Sequence, residues 1–148
     1  MSGHVDAAKI VQEFWEAFGN HDVEAAAALV DPDVVRKGPI PDPEEKDTCQ
    51  GKESYVTFMN SALKISPTYR NETRKVFASD DGHVAILVKD WVCLKPGSDE
   101  MTTTDDFGLF HVNDKGLIDF VDWYWKQPDP ELLKWLAAKD ANAASAAS

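Results

Sequence analysis

Apolar residues in the first part of the chain recur at helical spacing. This pattern predicts an amphipathic helix over residues 7–18, a short helix over residues 23–30 and a third helix over residues 52–64. Asp22 supplies the side chain that caps the second of these helices. The stretch 33–50 holds three prolines and mixed charges, so we expect a loop or a loose strand there.

From Thr68 onward the apolar period changes from helical to two, which is typical of strands. Turn residues between the alternating runs mark hairpin connections. The pattern predicts strands at about residues 68–78, 83–94, 101–112 and 117–126, and a last helix that starts at Asp129 and runs through Leu136. Helices, then an antiparallel meander, then one helix predict an α+β fold, a curved sheet with helices packed on one face.

The length of 148 residues suits a single domain, which we assign to residues 1–140, with a low-complexity tail over 141–148 that we expect to be disordered. A formal net charge of −11 argues against binding to nucleic acid or to an anionic membrane. No segment is apolar and long enough to span a membrane, and no leader pattern opens the chain. We therefore expect a cytoplasmic protein.

Cofactor and metal signatures are missing from the sequence. Cys49 and Cys93 have no metal-ligand spacing, and free thiols are favoured over a single disulfide, which the sequence leaves open. The histidines show no spacing typical of metal sites, and no phosphate loop or dinucleotide fingerprint occurs. We expect chemistry without a cofactor and without a metal.

Both faces of the predicted sheet are apolar, although one face of such a sheet normally contacts water. The helices cover one face. A second copy of the chain is the economical cover for the other, so we predict a homodimer through the outer face. Its candidate anchors are Trp91, Trp123 and Trp125.

The face predicted to point inward carries one aspartate on each of three strands: Asp90, Asp106 and Asp122. Burial and a neighbouring carboxylate raise the pKa of such a group, so one member can stay protonated beside an ionised partner. This sets a general acid next to a general base. The alternative is an aspartate at a sheet end, bonded to backbone or to an arginine. Asp119 has the opposite parity, so we expect it to be solvated and without a role.

Further candidates surround these aspartates. Arg36 follows a short apolar run and is a candidate to stabilise negative charge that develops on a substrate; an ordinary surface charge is the alternative. The candidates for the substrate-binding wall are apolar, aromatic or hydroxyl side chains on the helices and on the inward face. They are Trp15, Phe18, Phe58, Met59, Val88, Val92, Thr104, Phe120 and Tyr124.

The span from about residue 5 to 138 resembles the NTF2-like superfamily, in particular the SnoaL-like polyketide cyclase and limonene-epoxide hydrolase branch. The order and spacing of several short motifs carry this resemblance. They are Lys9–Trp15, Asp33, Gln50–Glu53, Asp81-Gly82, Lys89–Trp91, Phe107–Phe110, Lys115–Ile118 and Asp122–Tyr124. The resemblance implies a cone-shaped sheet wrapped by helices around a deep pocket, commonly as a dimer.

The resemblance also implies roles for single residues. Asp90 and Asp122 match the two aspartate positions of the epoxide-hydrolase branch, and Asp122 matches the acid/base aspartate of the cyclase branch. Val88 stands where the hydrolases have an arginine. Arg36 and Gly38 stand at the tyrosine and asparagine positions that place the water.

We therefore expect a cofactor-independent acid/base enzyme, an isomerase, cyclase or lyase, that acts on a small apolar oxygenated metabolite of terpenoid or polyketide type. Asp122 would be the base, Asp90 its proton-sharing partner, and Asp106 a second acid or an orienting group. Two alternatives stay open. One is water addition to an epoxide through Asp90 and Asp122, and the other is a non-catalytic module that binds small molecules.

Overall fold

A computed structural model describes residues 5–38, 48–93 and 99–125, without the side chain of Trp125. The predicted last helix (129–136) and the predicted disordered tail (141–148) lie outside these residues. The side chain of Trp125, a predicted dimer anchor, lies outside them as well.

Three helices and one six-stranded sheet form in the described part of the chain. Asp6 caps the first helix by accepting a hydrogen bond from the backbone N–H of Lys9, and Asp22 caps the second in the same way through Ala25. The elements are α1 (Ala7–Gly19), α2 (Val23–Ala27), β1 (Val30–Lys37), β2 (Thr48–Gln50), α3 (Lys52–Ile65), β3 (Arg70–Ala78), β4 (His83–Cys93), β5 (Met101–Val112) and β6 (Ile118–Trp125).

The strands follow the order β2-β1-β6-β5-β4-β3 across the sheet. Strands β3 to β6 form the predicted antiparallel meander, with each strand hydrogen-bonded to the next in sequence. Strand β1 adds to the meander in parallel with β6, and β2 pairs antiparallel with β1. The predicted α+β class with a curved, mixed sheet is confirmed.

Strands β1 and β2 form inside and next to the stretch 33–50, for which the sequence pattern predicts a loop or a loose strand. The short helix before them ends at Ala27, and Val30 already belongs to β1. Pro32 cannot donate a backbone hydrogen bond, and the register of β1 against β6 shifts between Val30 and Val35. This irregularity obscures the strand pattern in the sequence.

The core lies between the helices and one face of the sheet, which we call the inner face. Val84, Ile86 and Val88 of β4 alternate with more exposed residues and point into this core. Helix α1 packs a continuous apolar stripe against them. The stripe consists of Ala7, Val11, Phe14, Trp15 and Phe18.

Among the described residues, no helix is long and apolar enough to cross a membrane. Cys49 and Cys93 are both free thiols, which resolves the disulfide that the sequence left open. The cytoplasmic location stays a prediction.

Candidate active site

Asp90 and Asp106 lie on neighbouring strands and on the same inner face of the sheet. Asp90 is opposite Thr104, and Asp106 is opposite Val88, so the two carboxyl groups are diagonal neighbours across β4 and β5. Only 3% of Asp90 and 4% of Asp106 are exposed. The structure therefore brings two of the three predicted aspartates together in the apolar core.

Each of the two carboxyl groups also accepts a hydrogen bond from a hydroxyl group. The hydroxyl of Tyr69 donates to Asp90 Oδ1 at 2.5 Å, and the hydroxyl of Thr104 donates to Asp106 Oδ2 at 2.9 Å. Asp106 Oδ1 is buried and receives no hydrogen bond from the ordinary donors of the described residues. When Asp90 is protonated, its carboxyl O–H can donate to Asp106 Oδ1, and the two carboxyl groups then share that proton.

The protonation of Asp90 follows from its surroundings. The pKa of Asp90 is raised from its ordinary value of 3.8 to about 9. Burial is the largest cause, and a hydrogen bond with Asp106 is the second. The hydrogen bond from Tyr69 works in the opposite direction, because it stabilises the ionised carboxylate. At neutral pH, Asp90 holds a proton beside Asp106.

Tyr69 and Asn71 extend the hydrogen bonds of the pair towards α1. Asn71 Nδ2 donates to the hydroxyl of Tyr69 at 3.1 Å and to the backbone carbonyl of Trp15 at 3.0 Å. Burial raises the pKa of Tyr69 well above its ordinary value, and the negative charge of Asp90 adds to this effect. Tyr69 therefore stays a neutral hydrogen-bond donor, held by Asn71 and aimed at Asp90.

Aromatic rings pack beside the carboxyl pair. The indole of Trp15 stacks on that of Trp123, with 4.4 Å between ring centroids and 28° between planes. The ring of Trp123 lies directly over Gly108, where an added Cβ would come within 2.4 Å of the ring atoms. Gly108 is the next inward residue after Asp106 on β5, so the ring of Trp123 lies one inward position away from Asp106.

The buried Nε1–H of Trp15 has no hydrogen-bond acceptor among the described residues. A donor left unpaired in a protein interior costs about 1–3 kcal/mol. Because Trp15 is only 6% exposed, water at the protein surface does not satisfy this group.

Asp122 does not point inward, so the prediction of its orientation is wrong. Its cross-strand partner is Leu109, on the face of β5 opposite to Asp106. The hydroxyl of Tyr124 donates to Asp122 Oδ2 at 2.8 Å, which places both side chains on what we call the outer face. The structure thus separates Asp122 from the Asp90–Asp106 pair.

A β-bulge at Asp119 causes this reversal. Val112 pairs with Ile118 and His111 pairs with Phe120, so Asp119 is the extra residue in β6. The inserted residue shifts the inward–outward alternation by one position, so the residues of β6 after Asp119 lie on the face opposite to the predicted one.

The same exchange overturns the orientation of three further residues. Trp123 is 5% exposed and belongs to the core, so its predicted place as a dimer anchor on the outer face is wrong. Phe120 is only partly buried and Tyr124 is 54% exposed, so neither joins Trp15 in an inner wall. Trp91 does lie on the outer face, where the guanidinium of Arg70 stacks on its ring at 4.2 Å.

Arg36 is buried at 3% exposure, so it is no ordinary surface charge. It points to the inner face of β1, opposite Val121, and its guanidinium lies 3.9 Å from the ring centroid of Phe58. Burial lowers the pKa of Arg36, while the charge of Tyr55 and then those of Cys49 and Asp122 oppose this shift. Arg36 carries a positive charge on the α3 side of the core.

The other predicted wall residues lie in or next to the core. Phe18 stacks near Tyr69, with 5.1 Å between ring centroids, and therefore borders the hydrogen-bonded chain to Asp90. The prediction that they bind substrate stays a prediction. Phe18, Met59 and Val88 are buried, and Phe58, Val92 and Thr104 are partly buried.

A separate groove of about 670 Å³ lies between α1 and β3. Its lining is mostly polar and includes Glu16, Arg70 and Arg74, but neither Asp90 nor Asp106. Asn71 also lines the groove and is the link to Tyr69. Within residues 5–38, 48–93 and 99–125, no cluster of His, Cys, Asp and Glu could hold a metal ion.

Tyr69 and Asn71 were not predicted from the sequence pattern. Asn71 lies opposite Asp90 in the pairing of β3 with β4, and Tyr69 is two residues earlier with the same parity. The register of β3 against β4 shifts between Thr73 and Lys75, so a regular pairing continued from the hairpin would place Glu72, and not Asn71, opposite Asp90.

Comparisons with known proteins identify the class to which this fold and site belong. The family model of the SnoaL-like domain matches residues 11–141, so the chain belongs to the SnoaL-like domain family of the NTF2-like fold. The resemblance inferred from the sequence motifs is thereby confirmed. Among curated proteins, no sequence matches the chain significantly.

Solved structures share the fold at low sequence identity. SalBIII, an epoxide hydrolase/cyclase-like enzyme with a role in pyran ring formation in the polyether salinomycin, is 19% identical, covers 86% of this chain and 95% of its own, and has a TM-score of 0.71. A Mycobacterium tuberculosis protein in complex with estradiol-17β-hemisuccinate is 22% identical, covers 83% and 95%, and has a TM-score of 0.67. An epoxide hydrolase from the same organism, similar to limonene-epoxide hydrolase, is 18% identical, covers 81% and 82%, and has a TM-score of 0.64.

Proposed function

We propose that this protein is a cofactor-independent acid/base enzyme in which Asp106 is the base and Asp90 the acid. The buried carboxyl pair is the observation that carries the proposal. Two carboxyl groups on one apolar face are costly to bury, and the core gains no packing from them. Their value is chemical, because one group offers a proton and the other accepts one at the same pH.

The proposed reaction is an isomerisation, cyclisation or elimination that moves one proton. Asp106 removes a proton from a carbon of the substrate that is made acidic by a neighbouring carbonyl group. Asp90 delivers its own proton to another atom of the same substrate. The pair then holds the same single proton and the same single negative charge as before, so no further reactant is needed.

The proposed substrate is a small, largely apolar metabolite with at least one oxygen function, of terpenoid or polyketide type. The rings of Trp15, Phe18 and Trp123 beside the pair favour an apolar skeleton. SalBIII supports the choice because it has a role in pyran ring formation in the polyether salinomycin. The estradiol ester bound by the mycobacterial protein is a rigid apolar molecule with oxygen at its ends.

The proposal is tested by deuterium exchange into apolar ketones such as 2-decalone and related bicyclic and steroid ketones in heavy water. We expect the wild-type protein to accelerate exchange at the carbons next to the carbonyl group. Asp106→Asn and Asp90→Asn should each slow it by at least about 100-fold, the usual contribution of a general acid or base. Mass spectrometry of the recovered ketone measures the incorporation.

Asp105→Asn is the matched control, because Asp105 neighbours Asp106 on β5 but points outward and pairs with Arg74 at 2.8 Å. It should exchange at the wild-type rate. The variant Asp122→Asn separates our proposal from the sequence-based one. Loss of exchange in Asp122→Asn together with normal exchange in Asp106→Asn would contradict the proposed roles.

Epoxide opening is the second candidate function, because a buried neutral carboxyl group like that of Asp90 can protonate an epoxide oxygen while Asp106 activates water. Turnover of a terpene epoxide in ¹⁸O-labelled water distinguishes the two reactions, since only the hydrolysis places label in the product. A protein that binds these ketones and epoxides but changes neither is a binding module.

We further propose that two copies associate through the outer face, with different anchors from those predicted. Leu87, Phe107 and Tyr124 are directly opposite one another across β4, β5 and β6 and form what we call the outer-face row. Their exposed fractions are 38%, 37% and 54%. A contiguous row of large apolar side chains open to solvent is typical of a surface that another protein covers.

A further inference from the structure

We propose that the Nε1–H of Trp15 binds an acceptor oxygen of the substrate, a carbonyl or ether group. This inference rests on the proposed function and narrows the substrate class. The observation behind it is a donor that is buried, fixed and unpaired among the described residues. Buried N–H groups in native proteins almost always have an acceptor, so this one is available for a bound molecule.

Two ring contacts restrain the indole, and a hydrogen bond restrains the backbone of the same residue. Trp123 stacks on one side of it, and Phe18 packs near it with 5.4 Å between ring centroids. The backbone carbonyl of Trp15 accepts a hydrogen bond from Asn71. A donor that is already oriented loses little freedom when its acceptor arrives, which is the property expected of a binding group.

Trp15 is coupled to the carboxyl pair along two routes. Through hydrogen bonds, Asn71 joins the Trp15 backbone to Tyr69, which donates to Asp90. Through packing, Trp15 stacks on Trp123, whose ring lies over Gly108, the inward neighbour of Asp106. A carbonyl group held by Trp15 would therefore lie on the same side of the sheet as the carboxyl pair.

The chemistry of the proposed reaction needs such a donor. When Asp106 removes a proton next to a carbonyl group, negative charge develops on the carbonyl oxygen. Both carboxyl groups are occupied with proton transfer, and an N–H aimed at that oxygen stabilises the charge. Trp15 is thus proposed to bind the oxygen and to favour proton removal.

The test is a titration of the wild-type protein with 2-decalone and with decalin, which has the same skeleton without the oxygen. Indole N–H signals are followed by ¹H–¹⁵N NMR, and Trp15→Phe assigns the signal of Trp15. We expect the Trp15 indole signal to move downfield when the ketone binds. When decalin binds, the signal should show only the small shift that nearby aromatic ring currents cause. The wild-type titration does not depend on the stability of any variant.

Trp15→Phe should also weaken ketone binding by about 5- to 10-fold, the effect of one hydrogen bond, and change decalin binding by much less. The same shift with both compounds, or no shift of the Trp15 signal on ketone binding, would overturn the inference, as would failure of the ketone to bind. Deuterium exchange is measured separately, because it tests the proposed catalysis and not the hydrogen bond from Trp15. A ketone-specific shift without exchange supports the donor and contradicts only the proposed catalysis.

Discussion

At the scale of single residues, Tyr69 influences the protonation of the carboxyl pair. Its hydroxyl donates to Asp90 at 2.5 Å in a site from which bulk water is excluded. A hydrogen bond to the ionised form of a carboxyl group lowers its pKa, and the effect is large where few other groups compensate. Tyr69 thereby opposes burial, which raises the same pKa.

We predict that Tyr69→Phe raises the pKa of Asp90 above its value of about 9, because the substitution removes a donor that stabilises the carboxylate. The carboxyl ¹³C signal of Asp90, followed by NMR as a function of pH, measures the shift. Tyr124→Phe is the control, since it removes a similar hydrogen bond to Asp122 on the outer face. A titration of Asp90 that moves equally in both variants, or in neither, contradicts the assigned contact.

At the scale of elements, the bulge in β6 decides which residues face the core. Asp119, the inserted residue, has its Oδ1 at 2.6 Å from Nδ1 of His111. The other ring nitrogen of His111 lies 3.1 Å from the backbone carbonyl of Asp81. Both partners are acceptors, and only the protonated imidazole has two N–H groups to donate. The hydrogen bond to Asp119 accordingly raises the pKa of His111 above its ordinary 6.5.

The stability of the bulge should therefore depend on pH. A histidine whose pKa is higher in the folded state contributes its full stability below its ordinary pKa of 6.5 and loses it as the pH rises through the raised value. We predict that His111→Gln lowers the free energy of unfolding by about 1 kcal/mol at pH 5.5 and by less at pH 9. Urea unfolding at the two pH values measures the difference.

Asp119→Asn completes a double-mutant cycle with His111→Gln. We expect a coupling energy between the two residues at pH 5.5 that declines at pH 9. Equal effects of His111→Gln at both pH values would show that the contact is not an ion pair.

At the scale of the whole molecule, the sheet separates an inner face that carries the buried carboxyl pair from an outer face with exposed apolar side chains. The outer-face row of Leu87, Phe107 and Tyr124 continues across three strands, and the rings of Phe107 and Tyr124 are 6.0 Å apart. Arg70 and Lys89 lie over the ring of Trp91 at the margin of this face. An apolar centre with a charged margin is the usual layout of a protein interface.

We predict that the protein is a dimer and that Phe107→Lys makes it a monomer, because the substitution places a charge in the centre of the proposed interface. Sedimentation equilibrium measures the mass. Ile65→Lys is the matched control, since Ile65 is 39% exposed at the end of α3 and does not belong to the outer-face row. A wild-type monomer at high protein concentration, or a dimer in Phe107→Lys, contradicts the interface.

The sequence alone determined the meander and the inward direction of Asp90 and Asp106. Strands β4 and β5 pair without interruption, so the local alternation of apolar and polar residues carries through to the structure. Tertiary structure decided the rest. The Asp119 bulge turned Asp122 outward and Trp123 inward, and β1 became a strand by pairing with β2 and with the distant β6. A local pattern records the period of a strand, but an inserted residue or a remote partner depends on contacts between segments far apart in the chain.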